Sequence, residues 1–215
     1  MNLDLAERAS LAAKVTQALA QSFPESTSGL RGSLAIATAD PYSDIDVFWE
    51  LPDSVFEDAI DQLDEILADV APLDSLRSDP MLQNSDKRRL VFAQSADVPL
   101  FWRVDIEVFA KSIGRDDSYD LDNPMVRGDE WSLTESALMN SVAAMKYLLR
   151  DDRDRAQESL ERAFARIDER VPAGEPWDAI AELAETIGRK DLDQAELVRR
   201  VQLLHRDAWA SVRRR

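Results

Sequence analysis

Gly32-Ser33-Leu34-Ala35-Ile36-Ala37-Thr38-Ala39-Asp40-Pro41-Tyr42-Ser43-Asp44-Ile45-Asp46 is the segment on which the reading of this chain turns. An apolar start at Leu30 runs into a glycine and a hydroxyl residue. After ten further residues come Asp44 and Asp46, spaced i, i+2. On a strand that spacing puts both carboxylates on one face. The pattern predicts two strands, 30–36 and 45–51, joined by a turn at Asp40-Pro41-Tyr42-Ser43.

Upstream, Leu5, Leu11, Ala12, Val15 and Leu19 recur at close to 3.6 residues and predict a helix over 3–21. Downstream, Ser54-Val55-Phe56-Glu57 fits a capping box, which predicts a helix running to about Val70. Two more strands are expected at 90–93 and 101–109. In the second, Trp102, Val104, Ile106 and Val108 alternate with Arg103, Asp105 and Glu107. From Trp131 the period becomes helical, with Pro172 expected to end the second of about four helices. Gly114, Asp116, Asp117, Asp120, Asp122, Asn123 and Pro124 form a polar connector. The expected class is α+β: a core at 1–115 with about four strands, then a C-terminal helical bundle at 116–215.

The chain has 215 residues, no cysteine and one histidine, so disulfides and thiolate metal sites are excluded. No run approaches the roughly 20 apolar residues of a membrane helix, and Met1-Asn2-Leu3-Asp4 lacks the basic start of a secretory signal. A cytoplasmic location is the simplest expectation. The net charge of −16 repels phosphate backbones and attracts cations. It points away from nucleic acid and membrane, towards cationic small molecules or basic proteins.

Asp44 and Asp46, with an acid from the 101–109 strand, repel one another unless a cation lies between them. Without cysteine, that cation is a hard one with oxygen ligands, namely magnesium. Gly32-Ser33 offers a backbone that a phosphate can approach and a hydroxyl donor. Asp105 and Glu107 share a face, and Asp105 is preferred as third ligand for its shorter arm. Lys146 and Arg150, one turn apart, read either as triphosphate contacts or as a solvated face. Arg88 and Arg89 read as phosphate contacts or as cover for a strand edge. Glu135 reads first as the second half of a capping box with Ser132 and second as a general base. His205 is assigned no role. Trp102 and Trp131 read as core residues.

The Gly32-Ser33 pair, ten residues and Asp44-Ile45-Asp46 together resemble the signature of the DNA polymerase β-type nucleotidyltransferase superfamily. The stretch from Gly32-Ser33-Leu34 to Pro41-Tyr42-Ser43-Asp44-Ile45 is most similar in look to aminoglycoside and lincosamide nucleotidyltransferases. The close resemblance spans about residues 29–51. It implies a small mixed-sheet core joined to a helical bundle, with two magnesium ions and a nucleoside triphosphate co-substrate. Asp44, Asp46 and Asp105 would hold the metals. Gly32 and Ser33 would hold the β- and γ-phosphates, with Lys146 and Arg150 as basic contacts from the bundle. The implied reaction moves a nucleoside monophosphate, AMP from ATP by default, to a hydroxyl of a small cationic molecule such as an antibiotic. A homodimer is compatible with that plan. The alternatives are an antitoxin-type protein adenylyltransferase and a nucleotide-binding module without catalysis. One residue departs from the pattern: many members carry glycine where this chain has Ala37, and alanine is strained there if the position takes positive φ.

Overall fold

The computed structural model describes residues 3–129 and 132–214, so Trp131 lies outside the described residues. The chain divides into two compact units at Ser132. Residues 116–129 therefore belong with the sheet. Their backbone is stitched to the 80–84 turn, where Asn84 N donates to Val126 O (2.8 Å) and Gly128 N to Pro80 O (2.9 Å).

The first unit opens with helix α1 (Leu5–Ser22), whose N-cap Asp4 accepts the Ala6 N–H. Leu11, Ala12, Val15 and Leu19 face inward, and Arg8 lies on the same buried stripe. Five strands follow: β1 (Thr27–Leu30), β2 (Ile45–Leu51), β3 (Leu73–Ser78), β4 (Arg88–Ser95) and β5 (Val104–Ala110). They form one mixed sheet in the order β1-β2-β5-β4-β3. Among the described residues only the β2–β5 pair is parallel. In β2 burial alternates strictly, with Ile45, Val47, Trp49 and Leu51 inside and Asp46, Phe48 and Glu50 on the other face.

Several expectations are corrected. The strand over 30–36 ends at Leu30, and Gly32–Ala35 is a short helix, α2. Gly32 takes φ +57°, which breaks the extended chain just after Arg31 N makes a last bond to Asp46 O (2.9 Å). The helix after Ser54 is two short ones, α3 (Phe56–Asp61) and α4 (Leu63–Ala68), interrupted at Gln62. No capping box forms there, because 53–55 is a 3₁₀ turn and Glu57 reaches Arg89 instead (3.3 Å). The fifth strand, β3, was missed. It is an edge strand with mixed burial and no clean alternation.

The second unit contains α5 (Leu133–Leu149), α6 (Arg153–Ala165), α7 (Pro176–Lys190) and α8 (Ala195–Val212). Helix α5 packs on the other three. Leu138, Met145, Phe164, Ile180 and Val201 fill the interior. Ser132 caps α5 by accepting the Glu135 N–H (3.1 Å). Pro172 does not end α6. The helix stops at Ala165, where Asp168 at φ +57° lets Glu169 N reach back to Phe164 O (3.0 Å). Among the described residues no helix is long and apolar enough to cross a membrane.

Helix α2 closes in the same way. Thr38 N donates to Ser33 O (2.9 Å) and Ala37 N to Leu34 O (3.4 Å), with Ala37 at φ +56° between them. That is a Schellman ending, and the left-handed residue is normally glycine. A Cβ at such a position costs about 1–2 kcal/mol, part of which is offset because glycine gives the unfolded chain more freedom. Ala37→Gly should therefore raise stability by about 1 kcal/mol, seen as a rise in Tm of roughly 2–4 °C. An unchanged or lower Tm in calorimetry would mean that the backbone carries no strain there.

Candidate functional site

The parallel pairing of β2 with β5 builds the site. In its register Asp46 stands opposite Asp105 and Phe48 opposite Glu107. Neighbouring strands lie about 4.8 Å apart, so the two aspartates project side by side from one face. Asp44 precedes β2 by one residue and is half-buried. The row through Asp46 and Asp105 continues to Phe92 on β4 and Arg77 on β3.

Gly32 closes the edge of this corner. A Cβ placed on it would lie 2.9 Å from Asp46 Cγ and 3.2 Å from Asp46 Cβ, so no side chain fits. The exposed Gly32 backbone is thus brought directly against the Asp46 carboxylate, with the half-buried Ser33 next in the chain.

The loop that delivers Asp44 is held from two sides. The buried Arg8 donates from Nη1 to Asp40 O and to Ser43 O (3.1 Å). Burial lowers the Arg8 pKa, and the charges of Asp40 and Asp44 oppose that. From the other side Trp102 donates its indole N–H to Pro41 O (3.0 Å), and Tyr42 meets Phe101 edge-on at 5.5 Å. Within the loop Asp40 Oδ1 accepts from Tyr42 N (2.9 Å) and from Ser43 Oγ (3.0 Å). Trp102 is a core residue, as read from sequence.

Arg103, two residues before Asp105, holds that carboxylate with both arms: Nε to Oδ1 and Nη2 to Oδ2, each 2.6 Å. Its guanidinium also lies 4.4 Å from the centre of the Phe92 ring. Burial works against its charge, but the hydrogen bond to Asp105 and the fields of Asp105, Asp44 and Asp46 outweigh that and raise its pKa. All three aspartates therefore act on one guanidinium.

The oxygen-only donor set suits a hard divalent cation. Two of its members are register partners, and backbone is exposed beside them. Among the described residues no three carboxylate or imidazole groups are gathered as an ion would need them. One of the register partners, Asp105, is turned onto Arg103.

Glu107 has a different setting. Arg88 donates Nη2 (2.6 Å) and Nε (3.2 Å) to its Oε1, and Arg31 pairs with its Oε2. Arg31 also reaches Asp117 (3.1 Å), and Arg88 reaches Tyr119 O (3.1 Å). Glu107 is thus the buried knot that ties the 116–120 segment to the sheet. Neither Arg88 nor Arg89 covers an edge, since β4 lies inside the sheet and both are buried.

Lys146 and Arg150 lie at the C-terminal end of α5, in the helical unit. Glu135 is in the first turn of that helix. His205, also in the helical unit, lies close to Trp177 and Trp209, with Nε2 2.9 Å from Trp177 O.

Two residues of the site were missed in the sequence. Arg103 was legible, since i, i+2 on a strand puts it on Asp105's face. Arg8 was legible as an arginine on α1's apolar stripe, although the loop it holds is 32 residues away.

No protein-family model matches this chain, and no curated protein matches it. Among solved structures it is similar to a protein from H. pylori provisionally described as a nucleotidyltransferase. The identity is 13% over 98% of each chain, with a TM-score of 0.32. That likeness is too loose to assign a fold or an activity.

The two acids paired with Arg31, Glu107 and Asp117, predict losses of different size. Glu107→Gln leaves two guanidiniums short of their carboxylate, one of them deeply buried, and should cost about 3 kcal/mol or more in chemical denaturation. Asp117→Asn, at an exposed pair, should cost less than about 1 kcal/mol. Equal losses would show that the knot is not centred on Glu107.

Proposed function

We propose that the chain is a magnesium-dependent nucleotidyltransferase that moves a nucleoside monophosphate to a hydroxyl of a small molecule. The observation that carries this is the juxtaposition of Asp46 with Asp105 across the parallel β2–β5 pair, with the Gly32 backbone pressed against Asp46. In this reading Asp44, Asp46 and Asp105 hold the metal ions. The ions, when bound, would polarise phosphate oxygens and lower the acceptor hydroxyl's pKa. Gly32 and Ser33 receive the β- and γ-phosphates beside Asp46. Asp105, at the far side of the pair, receives the acceptor's proton. The loop held by Arg8 and Trp102 keeps Asp44 in place before substrate arrives, so little reorganisation accompanies the reaction.

AMP from ATP is the default donor group. The charge of −16 favours a cationic acceptor, and the sequence resemblance makes an aminoglycoside or lincosamide the first class to try. Incubation with each nucleoside triphosphate, magnesium and a mixed antibiotic library, followed by mass spectrometry, should show one library member heavier by a nucleoside monophosphate.

Asp46→Asn should lower transfer by roughly a hundredfold or more while leaving the thermal transition within a few degrees of wild type. Transfer at the wild-type rate by the folded variant would remove Asp46 from the metal site.

A further inference from the structure

We propose that Arg103 is a built-in counter-ion of the aspartate cluster, and that a divalent cation must displace it from Asp105 to bind. The inference rests on the metal-site reading above and concerns how that site exists without metal.

Asp46 and Asp105 are register partners on one face, with Asp44 two residues before Asp46, so like charges at the head of these strands favour a positive partner in the free protein. Arg103 is placed to be that partner. It takes both oxygens of Asp105 at 2.6 Å, and its charge is favoured by Asp44 and Asp46 as well. The guanidinium occupies one lone pair on each oxygen and places a full positive charge beside the carboxylate, which repels a cation there. A cation and this salt bridge are therefore alternatives.

The exchange does not require the arginine to leave the site. Its guanidinium lies on the Phe92 ring at 4.4 Å, a seat independent of the carboxylate. Phe92 is Asp105's register partner on β4, so the ring lies directly beside the bridge. Metal affinity is thereby set below what three carboxylates alone would give.

The test uses the full chain, Mn²⁺ as the probe, and two readouts that do not depend on activity: calorimetric titration, and thermal unfolding with and without saturating Mn²⁺. Arg103→Gln should bind Mn²⁺ more tightly than wild type by roughly tenfold or more. In the absence of metal it should melt lower than wild type, and Mn²⁺ should raise its Tm by more. Arg103→Lys, which keeps the charge but cannot span both oxygens, should fall between the two and serves if the glutamine variant does not fold. Placed on Asp105→Asn, the Arg103 substitution should lose most of its effect on affinity.

If wild type binds Mn²⁺ and neither Arg103 variant binds it more tightly, the counter-ion role is overturned while the metal site stands. If only the variants bind, the role is supported in its strongest form. If no form binds, the metal-site reading fails, and this inference with it.

Discussion

Asp44, Asp46 and Asp105 place three acids at the same end of two parallel strands, and the repulsion between them shapes what surrounds them. A sheet of antiparallel hairpins alone would not bring Asp46 and Asp105 together in this way. Their pairing depends on the single parallel contact in the sheet, β2 with β5. The chain covers the distance between those strands with α3, α4, β3 and β4, as a parallel connection requires. The elements between residues 52 and 103 thus serve to return β5 alongside β2. The same return brings Arg103, the positive partner, and Phe92, the ring that seats it.

Asp105 and Glu107 show how two acids on one strand face acquire different roles. Each has both oxygens taken by guanidinium. Glu107 is held by Arg88 of β4 and Arg31 of the turn between β1 and α2, which carry the 116–120 segment with them. Breaking that knot would release structure. Asp105 is held by Arg103, two residues before it at the head of β5, so this pair is local in the chain. A ligand that must be exchanged is expected on the second arrangement and not on the first.

Much of this was legible in the sequence because it is periodic or chemically particular. The alternation through Trp102-Arg103-Val104-Asp105 marked β5 and its polar face, and Asp44-Ile45-Asp46 marked the head of β2. The bundle followed from helical spacing. What stayed hidden depends on distance or on backbone angle. Strand β3 has no clean alternation and is recognised by its partner, β4. The turn at Gly32 looked like continued strand because Leu34 and Ile36 are apolar. It is a helix because Gly32 takes φ +57°. Glu57 looked like half of a capping box, but a buried Arg89 from β4 takes its carboxylate. Pro172 looked like a terminator, yet α6 had already ended at a left-handed Asp168. In each case a local rule was overridden by a partner or a dihedral that sequence spacing does not display.

Ala37 joins the fold to the site. An alanine in the left-handed region persists only where its surroundings dictate the backbone. Here both sides do so. Before it, Arg31 is fixed by its bond to Asp46 O and by its pairs with Glu107 and Asp117. After it, the 40–43 loop is held by Arg8, Trp102 and Phe101. Between these anchors the chain makes one turn of helix and reverses through Ala37 at φ +56°. The strain therefore measures how firmly the two anchors hold the segment that presents Gly32, Ser33 and Asp44 together. A looser clamp would let the alanine relax and move Gly32 away from Asp46. Keeping the backbone against that carboxylate requires the strain to be borne where it is.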